Sequence, residues 1–280
     1  MKKKSILITG ATGFVGRPVL RRLLYEDVII KVVVRKKSFK KIPFSNKIIP
    51  IITKNIFKES VNWWKKHLKG VDIIVHLAWN LDDKNYRSSQ FNIECLQGSL
   101  NMISAAVKKK VCRIISVGTC LEYEESNNFL STKSSLRGSC LYSYCKISLF
   151  NIASEILKVH KKEFVWCRLF HLFGENEKLH RLTSQIKYHA KQKKIFYLQN
   201  KSSEFDFMNV EDAAIKIVKI SLGKRTGAFN ICSGKSISVF DYAKNIASKF
   251  GAENIIKYKS DQRKKAVISI KKILGTPSPI

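Results

Sequence analysis

The sequence lacks the cysteine, apolar and linker patterns that would indicate several other classes of protein. Its seven cysteines are an odd number and include no Cys-x-x-Cys pair, so neither a disulfide framework nor a zinc site is supported. We therefore expect no bound metal and a reducing, cytoplasmic location. No apolar run approaches the roughly 18 residues that span a bilayer, which argues against membrane insertion. Five prolines and 13 glycines, without internal repeats, are too few for a long flexible linker.

Acidic residues are also scarce. The 21 Asp and Glu side chains face 52 Lys and Arg, which gives a formal net charge of +31. Such a field attracts anionic ligands in general. The excess is mostly lysine in short groups and contains no arginine-rich block of the kind that reads bases, so we expect solvated basic faces and no specific nucleic-acid partner.

Short β-branched runs alternate with longer amphipathic stretches through the first 170 residues. Alternating strands and helices predict a parallel sheet with helices on both faces, the doubly wound α/β arrangement, in which ligands bind at the carboxyl ends of the strands. The predicted strands of this part are 5–9, 28–35, 48–53, 71–76, 112–117 and 163–170.

Three glycines at intervals of three follow the first predicted strand. Gly10 permits a tight turn, Gly13 lets the backbone approach a phosphate, and Gly16 lets the next helix pack against the strand. The N-terminus of that helix carries unpaired N–H groups and a positive dipole end, which suit a pyrophosphate. The pattern predicts a dinucleotide-binding, Rossmann-type domain.

The alternation becomes less regular after residue 173. We predict an NAD(P)-binding Rossmann domain over 1–173 and a smaller substrate-binding lobe over 174–280, with segments around 210–232 returning to the first domain. The predicted elements of this part are the helices 179–191, 210–222 and 238–250 and the strands 195–198, 204–208 and 228–232.

The end of the second predicted strand bears on the choice of dinucleotide. An acidic side chain there would bind the adenosine ribose hydroxyls, whereas an arginine would pair with a 2′-phosphate. The sequence has Arg35 at this position and no carboxylate. This favours NADP(H) over NAD(H); the alternative is that Arg35 is one more surface cation of a very basic chain.

Tyr142 and Lys146 lie four residues apart before an apolar helical stretch, which puts both on one helix face. A phenol has a pKa of about 10, so acid–base work near neutrality needs a neighbouring cation that favours the phenolate. Lys146 would supply that charge. Tyr142 could then exchange a proton with an alcohol while hydride moves to or from the carbinol carbon.

Taken together, these motifs resemble the extended short-chain dehydrogenase/reductase family of sugar-nucleotide epimerases, dehydratases and ketoreductases. The similarity covers almost the full length, and it is carried by 9–16, 71–78, the segment around Asn92, 116–123, 168–174 and 204–212. It implies that Thr119 completes a catalytic set with Tyr142 and Lys146, and that His76 supports the cofactor from beneath. The cofactor-binding residues that it implies are Gly10, Gly13, Phe14, Val15, Gly16, Arg35, Asn55, Ile56, Leu77, Ala78, Asn92 and Lys146.

Departures from the family pattern narrow the expected chemistry. Dehydratases carry Asp-Glu directly after the Ser/Thr, where this chain has Cys120 and Leu121, so dehydration is not expected. Glu122 comes one position too late, and on a strand end a slip of one residue turns its side chain to the other face.

The substrate segments also differ from the family pattern. His171 replaces an asparagine that commonly touches the substrate, and Phe205 replaces the usual phosphate-binding arginine. We expect Thr119, Tyr142 and His171 to contact the substrate, with Arg263 as a possible replacement cation.

The expected function is therefore NADP(H)-dependent 4-keto reduction of a nucleotide-diphosphate sugar, as in deoxysugar and surface-polysaccharide biosynthesis. One alternative is an epimerase of the same family that oxidises and re-reduces one carbon. Another is a catalytically silent member that binds RNA or a partner, suggested by the net charge of +31. The family also implies a homodimer, through helices here predicted at 88–109 and 141–160.

Overall fold

The architecture is built on parallel strands. The computed structural model of the chain describes residues 3–81, 85–198, 203–258 and 272–280. The strands are β1 (Lys4–Thr9), β2 (Val28–Arg35), β3 (Ile48–Thr53), β4 (Ile73–His76), β5 (Arg113–Thr119), β6 (Glu163–Leu169), β7 (His171–Phe173), β8 (Phe196–Leu198), β9 (Glu204–Phe205), β10 (Phe207–Asn209), β11 (Gly227–Ile231), β12 (Ile237–Ser238), β13 (Ile256–Tyr258) and β14 (Lys272–Ile273).

Seven of these strands form the main sheet in the order β11-β6-β5-β4-β1-β2-β3. Every neighbouring pair in it is parallel. The helices are α1 (Gly16–Leu23), α2 (Val61–His67), α3 (Phe91–Ala106), α4 (Leu141–Val159), α5 (Leu182–Lys191), α6 (Val210–Leu222) and α7 (Val239–Ser248).

Both faces of the sheet are covered because its strands alternate apolar side chains toward two separate cores. In β1, Ile6 and Ile8 belong to the core that includes residues of α1 and α6, whereas Leu7 points into the core that includes α2, α3 and α4. All three side chains are fully buried. The predicted doubly wound parallel fold is confirmed.

A smaller core lies beyond the main sheet, in the C-terminal part of the chain. It is formed by α5 and α7 with the short strands β8 and β13, and Ile186, Tyr242 and Ile246 are among its buried side chains. Between these elements the chain crosses back, since α6 packs on α1 and β11 pairs with β6 at the edge of the main sheet.

Two boundaries differ from the sequence prediction in ways that affect the site. The strand predicted over 112–117 continues to Thr119, which becomes the last residue of β5. The strand predicted over 204–208 is broken at Asp206, because this buried carboxylate accepts the N–H groups of Ser233 at 2.8 Å and Gly234 at 2.6 Å. On either side of the break, β9 pairs with β12 and β14, whereas β10 pairs with β7.

In the part of the chain that the structure describes, no helix has the length and apolar character needed to cross a membrane.

Candidate active site

The glycine turn between β1 and α1 is shaped by close backbone contacts. Gly10 has φ +72°, and a Cβ on it would lie 2.7 Å from the Ala78 nitrogen. A Cβ on Gly16 would lie 2.0 Å from the Gly10 oxygen, and the Gly13 N–H donates to that same oxygen at 2.9 Å. The first turn of α1 holds no acidic residue and its last turn holds Arg21 and Arg22. This tight turn opening a helix fits a pyrophosphate.

The other predicted residues of this crevice are partly engaged with the protein. Phe14, Val15 and Leu77 are half-buried against the core of the sheet. The Ala78 N–H donates to Thr9 Oγ1 at 3.3 Å.

A cavity of about 420 Å³ lies at the carboxyl ends of β2 and β3. Four of its six lining residues are cations and none is acidic; they are Arg35, Lys36, Lys37, Ile52, Thr53 and Lys54. The cavity is therefore suited to an anionic group, and the sequence singled out only Arg35 of this set.

Two of the predicted cofactor contacts have other bonding roles in the structure. Asn92 is buried; its Nδ2 donates to the carbonyls of Tyr86 at 2.6 Å and Ser89 at 2.8 Å, and its Oδ1 accepts from Trp79 Nε1 at 2.8 Å. Both N–H bonds of its amide are thus used inside the protein. Asn92 orients Trp79 and the preceding turn.

Asn55 acts as the cap of the short turn Ile56–Lys58, because its Oδ1 accepts the Phe57 N–H at 3.0 Å. Its Nδ2 donates to Glu94 Oε1 at 2.7 Å. Ile56 packs partly against the core that contains α2 and α3.

His76, the last residue of β4, is a buried neutral support. Ser99 Oγ donates to the Cys95 carbonyl at 2.7 Å and therefore accepts from His76 Nε2 at 2.9 Å. The Thr9 hydroxyl then donates to His76 Nδ1 at 2.8 Å. Burial lowers the pKa of His76 to about 3, and the positive charge of Lys146 acts in the same direction.

Thr119, Tyr142 and Lys146 converge at the end of β5, and each is at most 8% exposed. The Tyr142 hydroxyl lies beside the Thr119 side chain, which acts to lower the pKa of Tyr142. The Lys146 ammonium, one helical turn along α4, donates to the carbonyl of Val117 at 2.8 Å. The three side chains predicted to act together are thus neighbours around one point.

The electrostatics of Tyr142 differ from the sequence expectation. Burial raises the pKa of Tyr142 above its ordinary value, with smaller contributions from Tyr86 and Glu122, and Thr119 opposes this only in part. Desolvation therefore prevails over any stabilisation of the phenolate by Lys146, and Tyr142 holds its proton. Burial also lowers the pKa of Lys146 to about 7, against the opposing effect of Glu122.

Two aromatic side chains that the sequence did not single out surround this group. The Trp79 ring lies 3.7 Å from Lys146 Nζ, and the Tyr86 ring lies edge-on to Tyr142 at 5.2 Å. In the sequence, only their positions could have indicated a place in the site. Trp79 follows Ala78 directly, and Tyr86 comes shortly before α3.

The predicted substrate residue His171 lies beside Phe205, with 4.5 Å between their ring centroids. Its buried Nε2 has no hydrogen-bond partner among the described residues. Burial lowers the pKa of His171 to about 4, and the positive charges of Arg181 and Arg87 contribute in the same direction. Arg263, the other predicted contact, lies outside the described residues.

Comparison with known proteins agrees with this geometry. A model of the NAD dependent epimerase/dehydratase family matches residues 6–232. The chain belongs to this family. The resemblance to extended short-chain dehydrogenases/reductases is confirmed, as is the expectation of an enzyme that uses a nicotinamide dinucleotide.

Individual members of the NAD dependent epimerase/dehydratase family are distant from this chain. The dTDP-6-deoxy-L-talose 4-dehydrogenase (NAD(+)) of Aggregatibacter actinomycetemcomitans is 23% identical, over 91% of this chain and 92% of the relative. An uncharacterized UDP-glucose epimerase of Bacillus subtilis is 26% identical, over 78% of this chain and 72% of its own. The UDP-N-acetylglucosamine 4-epimerase of Methanobrevibacter ruminantium superposes with a TM-score of 0.84 at 20% identity, over 99% of this chain and 91% of that one.

The site of this NAD dependent epimerase/dehydratase family member contains one further charged residue that sequence analysis set aside. Glu122 ends the short turn Cys120–Glu122 and so does not continue the strand. Its side chain is fully buried beside Arg168, with 2.7 Å between Oε2 and Nε. Apart from the presence of a glutamate at position 122, nothing in the sequence indicated a buried charge so near Thr119.

The neutral state of His76 predicts a dependence of stability on pH. The unfolded chain binds a proton to histidine below about pH 6.5 whereas the folded chain does not until about pH 3, so this contribution is complete above pH 6.5 and is lost as the pH falls. Between pH 7 and pH 5 we expect wild-type protein to lose about 2 kcal/mol through this residue.

Urea unfolding of wild type and His76→Gln at both pH values measures the effect. The variant, although less stable overall, should lose less between the two pH values, whereas exposed His160→Gln should behave as wild type. Equal losses in all three proteins would contradict a buried neutral His76.

Proposed function

We propose that this enzyme is an NADP(H)-dependent reductase of a 4-keto group on a nucleotide-diphosphate sugar, serving deoxysugar and surface-polysaccharide biosynthesis. The observation that carries the proposal is the convergence of the buried Tyr142, Thr119 and Lys146 side chains at the end of β5. A phenol that keeps its proton is prepared to donate it, and the carbonyl oxygen of a ketone requires a proton donor as it becomes an alcohol.

Each of the three catalytic candidates has its own part. Thr119 Oγ1 accepts the Leu121 N–H at 3.3 Å, which leaves its hydroxyl hydrogen to orient the substrate oxygen. Tyr142 gives its proton to that oxygen, and the Lys146 ammonium stabilises the phenolate that remains. The bound dinucleotide supplies the hydride.

The NADP preference rests on the cavity at the ends of β2 and β3. Arg35, Lys36, Lys37 and Lys54 surround it, and a 2′-phosphate would meet several cations there. The glycine turn, with Phe14, Val15, Leu77 and Ala78, would hold the rest of the dinucleotide. We assign Asn55, Ile56 and Asn92 to the support of this crevice.

The sugar-nucleotide substrate is supported by the names of the relatives and by the charge around His171. Phe205 has no charge to offer a diphosphate, whereas Arg87 and Arg181 both act on His171. The Tyr142 N–H donates to the carbonyl of Arg87 at 3.0 Å, so the backbone of Arg87 is fixed at the start of α4. We assign the diphosphate to Arg87 and Arg181, with His171 as a neutral donor or acceptor near them.

A 4-epimerase is the second candidate, favoured by the epimerases among the relatives and by the same three side chains. Dehydration remains excluded from the proposal, because Cys120 replaces the acid and burial raises the pKa of its thiol to about 12. We also propose the division into a cofactor domain over 1–173 and a substrate lobe over 174–280, with segments around 210–232 returning to the cofactor domain. The seven free cysteines suit the reducing cytoplasm as its location.

A homodimer is proposed through α3 and α4, which pack together on one face of the sheet. Their outer surfaces expose large apolar side chains, namely Phe91, Ile93, Tyr144 and Ile152, each at least 42% exposed. A second copy of this face would bury them.

Tyr142→Phe tests the proton donor. We expect NADPH oxidation with 4-keto-6-deoxy sugar nucleotides to fall by ~10²–10⁴-fold in kcat, because the ring is kept and only the acidic hydroxyl is lost. Tyr144→Phe, on the exposed side of the same helix, should leave the rate unchanged. Wild-type protein that consumes no reduced dinucleotide but interconverts two unoxidised sugar nucleotides would identify the epimerase instead.

Arg35→Ala tests the choice of dinucleotide. Loss of one charge-assisted contact should raise the KM for NADPH by roughly 10–100-fold and leave the KM for NADH almost unchanged. Lys40→Ala is the matched control, since Lys40 is exposed on the same turn but does not line the cavity. A preference for NADH in the wild type would reject this part of the proposal.

Ile152→Lys tests the dimer. Light scattering should give twice the chain mass for wild type and the mass of one chain for the variant, because the substitution buries a charge at the proposed interface. Tyr25→Lys, which changes an exposed side chain after α1, should remain dimeric. Wild type that is monomeric at all concentrations would refute the dimer.

A further inference from the structure

Glu122, which lies beneath the site, is hydrogen-bonded directly to Thr119, the proposed catalytic threonine. Glu122 and Thr119 form a reciprocal cap of the turn Cys120–Glu122: the Thr119 N–H donates to Glu122 Oε1 at 2.7 Å, and Thr119 Oγ1 accepts from the Leu121 N–H at 3.3 Å. The carboxylate thus fixes the backbone of Thr119, and the turn fixes its hydroxyl.

The carboxylate is held from the other side by the neighbouring strand. Trp166 and Arg168 lie two residues apart on β6 and so point to the same face. Trp166 Nε1 donates to Glu122 Oε2 at 2.9 Å and Arg168 Nε donates to it at 2.7 Å. Three donors therefore converge on one carboxylate that is 0% exposed, next to a guanidinium that is 1% exposed.

The main chain is adapted to this arrangement at Gly118. A Cβ there would lie 2.2 Å from Glu122 Oε1 and 2.2 Å from Trp166 Nε1. Any side chain at this position would push the carboxylate away from β5. The strand is therefore built to admit the charge, which is costly to bury unless it is paired and hydrogen-bonded.

The network continues away from the site. Arg168 Nη1 donates to the Tyr123 hydroxyl at 3.3 Å, the Tyr123 hydroxyl donates to Asn230 Oδ1 at 2.6 Å, and Asn230 Nδ2 donates to the Leu130 carbonyl at 2.7 Å. The position of Glu122 is thus set by β5, β6 and β11 together. It is a rigid support for whatever it touches.

We propose that Glu122 is a positioning residue of the active site, which fixes Thr119 at the reacting oxygen and favours the protonated form of the buried Lys146. This inference rests on the proposed roles of Thr119 and Lys146 and adds a residue that acts through both of them.

The second half of the proposal depends on the groups that surround Lys146. The Trp166 indole, whose Nε1 donates to Glu122 Oε2 at 2.9 Å, has its ring 5.9 Å from Lys146 Nζ, so the carboxylate and the ammonium lie beside the same indole. Burial lowers its pKa to about 7, and Glu122 is the first of the groups that oppose this. The titratable groups facing Lys146 are His76 from β4, Cys95 from α3, Tyr142 and Cys145 from α4, and Glu122. His76 is neutral and burial raises the pKa values of both thiols, so Glu122 is the group among them that carries negative charge near neutral pH.

The groups facing Glu122 itself are Arg168, Tyr123, Cys120, Tyr142 and Lys146. Burial raises the pKa of Glu122, whereas Arg168 and the hydrogen bonds from Thr119 and Trp166 lower it. The paired Arg168 guanidinium and two further donors favour the ionised carboxylate of Glu122 in the folded protein.

The experiment reads the charge of Lys146 in the substrate-free enzyme. Because its ammonium lies 3.7 Å from the Trp79 ring, loss of the proton should change the emission of that indole. Fluorescence is followed from pH 5.5 to 9.5, and the same titration of Trp79→Phe is subtracted to isolate the Trp79 signal. We expect a wild-type midpoint near 7.

Three variants divide the proposal into its parts. Glu122→Gln removes the charge and should lower the midpoint by about one pH unit. Glu122→Asp keeps the charge but shortens its reach, so the midpoint should stay within about 0.3 units while kcat falls roughly tenfold at unchanged KM. Glu124→Gln, the same change at a half-exposed carboxylate paired with Arg137, should alter neither quantity.

If the midpoint in Glu122→Gln equals that of wild type, or falls equally in the Asp and Gln variants, the Glu122 charge does not act on Lys146. If kcat is unchanged in the Asp variant, Glu122 does not position Thr119. If Glu122→Gln does not fold, the Asp variant decides by the same two readings. Because the fluorescence needs no substrate, a shifted midpoint in an enzyme that reduces no sugar nucleotide would reject the proposed function and leave the link between Glu122 and Lys146 standing.

Discussion

The arrangement of the site depends on one constraint: the central parallel strands all end at the same edge of the sheet. The register pairs Thr9 at the end of β1 with His76 at the end of β4, and β5 runs on to Thr119 beside them. Parallel pairing requires this arrangement of the strand ends, because all the strands begin at the opposite edge of the sheet. Polar residues that are distant in the sequence are therefore gathered wherever apolar strands stop.

His76, Lys146 and Glu122 at this edge are buried away from water, and each is stabilised by its neighbours in a different way. His76 is kept neutral between Thr9 and Ser99, so it supports the edge without competing for a proton. Lys146 is buried, held by a carbonyl and an indole ring, and its pKa of about 7 leaves it partly protonated near neutral pH. Beneath Thr119, Glu122 and Arg168 compensate each other. Burial and pairing thus decide which of these groups can hold a proton near neutral pH, on which acid–base chemistry depends.

Part of the strong positive charge of the chain is concentrated at the carboxyl ends of β2 and β3. A net charge of +31 by itself predicts only attraction to anions. In the structure four of these cations line one cavity, and the guanidinium groups of Arg87 and Arg181 act on His171 at a second place. The proposed NADP(H) and diphosphate ligands would place their negative charge at these two sites, whereas most of the lysines that the structure describes are exposed.

The sequence by itself determined the sheet and its glycine turn, and it singled out the candidate catalytic residues. Strand alternation follows from local apolar patterns, Gly10 and Gly16 from a turn that admits no side chain, and the shared face of Tyr142 and Lys146 from helical spacing. It could not determine the pKa of Tyr142, the engagement of Asn92 or the partner of Glu122. Those depend on which side chains exclude water and which donors approach from other strands, and only the tertiary structure brings Trp79, Trp166 and Arg168 to the places where they do so.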